Sequence, residues 1–111
     1  MFALNKELVR ASVRQARAEG SLPLVVYFPS DRNFRALAKD RGWRSLAQTM
    51  LDGSGLSYTD TTPCLMPLAP ADRFPADGRN HFAPRANAAI ADCLRDAVRD
   101  LLAKAPGLPA R

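Results

Sequence analysis

The sequence predicts an α/β protein, and three observations carry that reading. Helical and strand-like patterns alternate along the chain, as in folds that layer helices on a sheet. The run Leu22-Pro23-Leu24-Val25-Val26-Tyr27-Phe28 is continuously apolar, β-branched and aromatic, the pattern of a strand buried on both faces of a parallel sheet. The chain then ends in an apolar stripe of helical period, Ile90, Cys93, Leu94, Ala97, Val98, Leu101 and Leu102.

Residues 4 to 19 open the series as an amphipathic helix. Leu4, Leu8, Val9, Val13 and Ala16 recur at helical spacing against a charged face, and Gly20-Ser21 ends it. The strand at 22 to 28 closes on Pro29-Ser30, and Asp31 can cap the helix that follows. Helical pattern runs through Phe34, Leu37 and Ala38, breaks near Gly42, and resumes with Trp43, Leu46, Ala47, Met50 and Leu51. Asp52-Gly53-Ser54-Gly55 reads as a turn, and Leu56 to Thr61 as a second, shorter strand. Residues 62 to 83 read as one long proline-punctuated loop, of a length that is uncommon without a function. Pro84 suits the first turn of the last helix, where its missing N–H costs nothing, and Pro106-Gly107 stops that helix. Two strands alone make a marginal sheet, so the pattern reads as part of a sheet whose other strands lie elsewhere.

The 111 residues fit a single domain of ordinary globular composition, 47% hydrophobic and 24% charged. No apolar run approaches the roughly 18 residues that span a bilayer, and the first residues do not read as a signal peptide. The net charge of +5 raises the question of nucleic acid. Most basic residues alternate with acids, as in Asp92, Arg95, Asp96, Arg99 and Asp100. Lys6, Arg10, Arg14 and Arg17 could share one helix face, but no aromatic residues interleave with them and no recognition motif follows. This distribution argues for a solvated helix surface and against nucleic-acid binding. With one histidine and two distant cysteines, a structural metal site is not expected, and no motif calls for a cofactor. Cys64 and Cys93 can be either one disulfide or two buried thiols.

Chemistry concentrates in Asp77-Gly78-Arg79-Asn80-His81, on the loop that enters the last helix. A histidine acting as general base needs one ring nitrogen facing the nucleophile. A carboxylate on the other nitrogen fixes the tautomer and stabilises the imidazolium that forms. Asp77 stands four residues before His81 and can play that part. A nucleophile is not legible. Gly53-Ser54-Gly55 lies between a helix and the following strand, whereas a nucleophile elbow runs strand, turn, helix. Ser30 sits at a strand end but reads better as part of a helix cap, and Cys64 has no base beside it in sequence.

The segment Asp77 to Ala91 resembles the last conserved block of the SGNH/GDSL hydrolases. His81, Phe82, Pro84, Ala86 and Asn87 match that block in order. The run Leu24 to Ser30 is similar to the family strand that ends in Pro-Ser, and Gly55 to Asp60 to the later strand that closes on Asp. The resemblance implies hydrolysis or transfer of acyl esters without a metal, with His81 as general base and Asp77 as its orienting acid. It also implies a three-layer α/β/α sandwich, flavodoxin-like with a parallel sheet, of which residues 1 to 111 would be the C-terminal half, a single incomplete domain. Three residues separate Asp77 from His81 where the family usually has two, which leaves Asp72 as a distant second choice. The Gly-Asp-Ser nucleophile block, the glycine oxyanion donor and the Gly-x-Asn block have no counterpart in the chain. Without them the chain alone should not hydrolyse esters.

The expected partners are therefore an acyl ester substrate in the complete protein and the missing N-terminal half. The competing reading is a non-catalytic interaction module that completes its open sheet with a partner. A third is a small basic domain that binds nucleic acid through its first helix. The compartment stays open, because a leader could lie upstream.

Overall fold

The computed structural model describes residues 2–76 and 81–104. The elements in order are α1 (Phe2–Ala18), β1 (Val26–Tyr27), α2 (Asp31–Lys39), α3 (Leu46–Asp52), β2 (Thr59–Asp60), α4 (Thr62–Leu65), α5 (Pro70–Arg73) and α6 (Pro84–Lys104). The chain divides into two compact units, residues 1–58 and 59–111.

This architecture corrects the fold class. The described residues are 62% helix and 4% strand, and the expected α/β/α sandwich is not formed. Of the apolar run 22–28 only Val26–Tyr27 is strand, and of 56–61 only Thr59–Asp60. Strand propensity expresses how well a segment fits between neighbours on a pleated surface, and the described residues form only two strands of two residues each. Phe28 is accordingly 47% exposed rather than buried on both faces. The expected loop 62–83 is also corrected, since it contains α4 and α5. Both carry a proline in their first turn, where its fixed φ suits a helix start.

In the first unit α1 packs against α3. Val13 is buried, and Arg10 Nε donates to the Ser54 carbonyl at 2.7 Å. The end of α1 is a tight turn in which Ser21 N–H bonds the Ala16 carbonyl and Gly20 N–H the Arg17 carbonyl. That pattern needs a left-handed residue, and Gly20 supplies it at φ 83°. The caps of α2 and α3 are built alike. Ser30 Oγ accepts from Asn33 N–H while Asn33 Oδ1 accepts from Ser30 N–H, and Ser45 and Gln48 repeat the exchange. The cap of α2 is thus Ser30, with Asp31 one position inside the helix.

In the second unit α4 and α5 both pack against α6. The core is Leu65, Phe74, Ala83, Ala86 and Ile90, and both Leu65 and Ala86 are fully buried. Cys64 on α4 and Cys93 on α6 form a disulfide with a Cα–Cα separation of 6.3 Å, within the ordinary range for such a bridge. Beyond Ile90 the helix buries no further residue, and Val98 and Leu102 are 41% and 53% exposed. The Pro106-Gly107 stop lies outside the described residues. No helix among the described residues is long and apolar enough to cross a membrane.

Candidate functional site

His81 is exposed and stands three residues before the start of α6. The two residues that follow it are tied to α5 and its C-cap. Ala83 N–H donates to the Arg73 carbonyl at 2.9 Å, and Ala83 itself is buried. The Phe82 ring lies against Phe74 with ring centroids 5.1 Å apart. Arg73 turns back to donate through Nε to the Leu65 carbonyl at 2.9 Å and through its guanidinium to the Met66 carbonyl at 2.8 Å. One arginine therefore ties the end of α5 to the end of α4, and its own carbonyl anchors the approach to α6.

The imidazole Nδ1 lies 3.3 Å from the Phe82 carbonyl oxygen. When Nδ1 carries the ring proton it donates to that carbonyl, and Nε2 then carries the lone pair. A backbone carbonyl is thus an orienting acceptor for His81, which the sequence did not disclose because every residue offers one. Asp77, expected in that part, lies outside the described residues. Asp72, the second choice, is half-buried on α5 and forms an ion pair with Arg85 at 3.7 Å. Arg85 is in the first turn of α6, so this pair joins two helices that already pack together.

Four of the six serines make local structural hydrogen bonds. Ser12 Oγ donates to the Leu8 carbonyl, and Ser54 Oγ to the Leu51 carbonyl at 2.7 Å while accepting from Leu56 N–H. Ser30 and Ser45 are helix caps. Cys64 is consumed by the disulfide.

A second polar cluster, unanticipated from sequence, lies on the first unit. Arg44 donates to Asp52 Oδ2 at 2.7 Å and to the Tyr58 hydroxyl at 2.9 Å, and that hydroxyl donates to Asp52 Oδ1. The Tyr58 and Arg44 hydrogen bonds hold the Asp52 carboxyl below the usual carboxylate range. Burial, followed by the Asp52 contact, pushes the Tyr58 phenol up. The cluster clips the start and end of α3 to the segment that follows it. Among the described residues no group of three metal-ligating side chains comes together.

Comparison with protein-family models, with curated proteins and with solved structures finds no match. Nothing in these comparisons links the chain to the SGNH/GDSL hydrolases.

Proposed function

We propose that His81 is the general base of an acyl-ester hydrolase whose serine nucleophile is supplied by chain outside these 111 residues, with Asp77 taking the place of the Phe82 carbonyl at Nδ1 as its orienting acid. The observation that carries this reading is the setting of His81. It is a solvent-facing imidazole next to the start of α6, followed closely by the buried Ala83 and with Nδ1 turned to a carbonyl. A general base must be reachable by substrate and held in direction, and the exposed ring with its Nδ1 contact supports that reading. In the reaction Nε2 takes the hydroxyl proton as the serine oxygen attacks the ester carbonyl carbon, then returns it to the departing alcohol oxygen.

The test is hydrolysis of p-nitrophenyl acetate by the polypeptide that the surrounding in-frame coding sequence specifies. His81→Ala should lower turnover by about 10³-fold or more. Turnover unchanged by the substitution, or coding sequence with no Gly-Asp-Ser block upstream, overturns the proposal.

The exposed apolar residues Val98 and Leu102 on α6, and Leu4 and Leu8 on α1, favour a second reading as an interaction module. Apolar side chains aligned one turn apart are the usual anchors of helix recognition. Concentration-dependent association without esterase activity would support it.

A further inference from the structure

We infer that the Cys64–Cys93 disulfide is a redox-sensitive lock on the segment that carries His81, closed in an oxidising compartment and released by thiol reductants. Its bearing on turnover rests on the hydrolase reading; its bearing on the order of the segment does not.

The bridge joins residues 29 apart in sequence, and His81 lies between them. Among the described residues between Cys64 and the start of α6, the helical structure is the end of α4 and the four-residue α5. Isolated helices need roughly 12–15 residues to persist in water, so α4 and α5 exist only through what holds them. The noncovalent ties include the Arg73 hydrogen bonds to Leu65 and Met66, the Ala83–Arg73 backbone bond, the Phe74–Phe82 contact and the Asp72–Arg85 pair, beside the Leu65, Phe74, Ala83, Ala86 and Ile90 core. All of them join residues that the bridge encloses. The disulfide closes the loop by fixing α4 to α6 directly.

Both cysteines are half-buried rather than sealed. Exposed disulfides are the ones that exchange, and such bridges persist in exported proteins while the cytosol reduces them. The releasing step is ordinary exchange with a dithiol. One thiolate attacks Sγ of Cys64 or Cys93, the Sγ–Sγ bond breaks, and a mixed disulfide forms. The second thiol of the reductant then displaces the remaining cysteine. The products are two cysteine thiols and a cyclic disulfide, with two electrons and two protons passed to the protein.

The test uses the full chain, oxidised in air and then treated with dithiothreitol. Alkylation followed by mass measurement should find no free thiol before reduction and two after it. Amide hydrogen exchange in residues 65–76 and 82–83 should then rise on the order of 10²-fold, the factor that losing a loop closure of this length implies. Exchange in residues 31–52 should stay as it was. His81 is the single histidine, so its ring proton resonances report that site without ambiguity and should shift on reduction. Two free thiols in the air-oxidised chain overturn the inference. So does exchange in 65–76 that reduction leaves unchanged. An equal rise in 31–52 also overturns it, because the bridge would then support the whole fold rather than lock one segment. None of these readouts involves ester turnover, so the hydrolase reading can fail in the His81→Ala assay while the lock stands.

Discussion

The phenolic oxygen of Tyr27 donates to Asn33 Oδ1 at 2.8 Å, and through that bond one buried tyrosine secures a helix start. Asn33 Oδ1 also accepts from Ser30 N–H, which closes the cap of α2. The same phenolic oxygen accepts from Ser45 Oγ at 3.0 Å, and Ser45 caps α3. The first unit thus has a polar joint in which a single hydroxyl serves two helix N-termini. Polar groups in such a joint reinforce one another, since each holds the next in its bonding orientation.

Tyr27→Phe keeps the buried ring and removes only the hydroxyl. It should cost about 1–2 kcal/mol, the net worth of two part-buried hydrogen bonds. Urea unfolding should show a lower midpoint with an unchanged slope. A midpoint equal to that of the parent would mean that water replaces the hydroxyl at no cost.

Ser45→Ala should cost about 1 kcal/mol through loss of the α3 cap. Combined with Tyr27→Phe it should cost less than the sum of the two, because Ser45 Oγ is a party to both changes. A strictly additive double variant would show that the cap and the tyrosine act independently.

The Arg44–Asp52–Tyr58 clip should give stability a defined pH dependence. The Asp52 pKa is lowered in the fold, so its contribution is present above the ordinary carboxylate value of 3.8 and is lost as pH falls through the lowered value. The Tyr58 pKa is raised, so its contribution is full below the ordinary value of 10.0 and is lost as pH rises through the raised one. Unfolding midpoints for the parent and Asp52→Asn, measured from pH 2 to pH 7, should converge toward the acid end. The gap should be small, since all three side chains meet at the solvent-exposed surface. A gap that stays constant with pH would exclude a role for the charge.

Replacing both cysteines by serine should lower stability by about 3.6 kcal/mol, the closure entropy of a loop of some 30 residues. Two serines can remain solvated at these half-buried positions, so the measured loss should reflect the bridge more than the packing.

Local signals in the chain proved reliable wherever structure depends on neighbours in sequence. The apolar period marks α1, α2, α3 and α6, Gly20 marks the end of α1, and Pro84 marks the start of α6. Ser30 and Asp31 are both competent caps, and the extended backbone at Ser30, φ −98° and ψ 168°, decides between them. What failed were readings that need distant partners. Leu22 to Phe28 has strand composition, yet composition cannot supply the neighbouring strands that make a sheet. Cys64 and Cys93 could be seen but not paired, because pairing is set by how α4 meets α6. Arg44, Asp52 and Tyr58 fall at spacings that share no helix face, so their meeting was invisible. Near His81, the residue itself was legible and its Phe82 carbonyl partner was not.

Ala86 shows why the small residue after Pro84 matters. It lies one position past Arg85 on α6, is wholly shielded from solvent, and occupies the helix onto which α4 and α5 pack. A larger side chain there has no vacant volume to fill, since interiors are packed as densely as organic crystals. Ala86→Leu should therefore push α4 and α5 off α6 and cost about 1–3 kcal/mol. Ala86→Gly avoids the clash but weakens the helix, and should cost about 1 kcal/mol. The leucine variant should also move the His81 ring resonances, because Ala83 and Phe82 are seated against the same helices, whereas the glycine variant should leave them nearly in place. Equal shifts in the two variants would show that the position of His81 does not depend on the packing at Ala86.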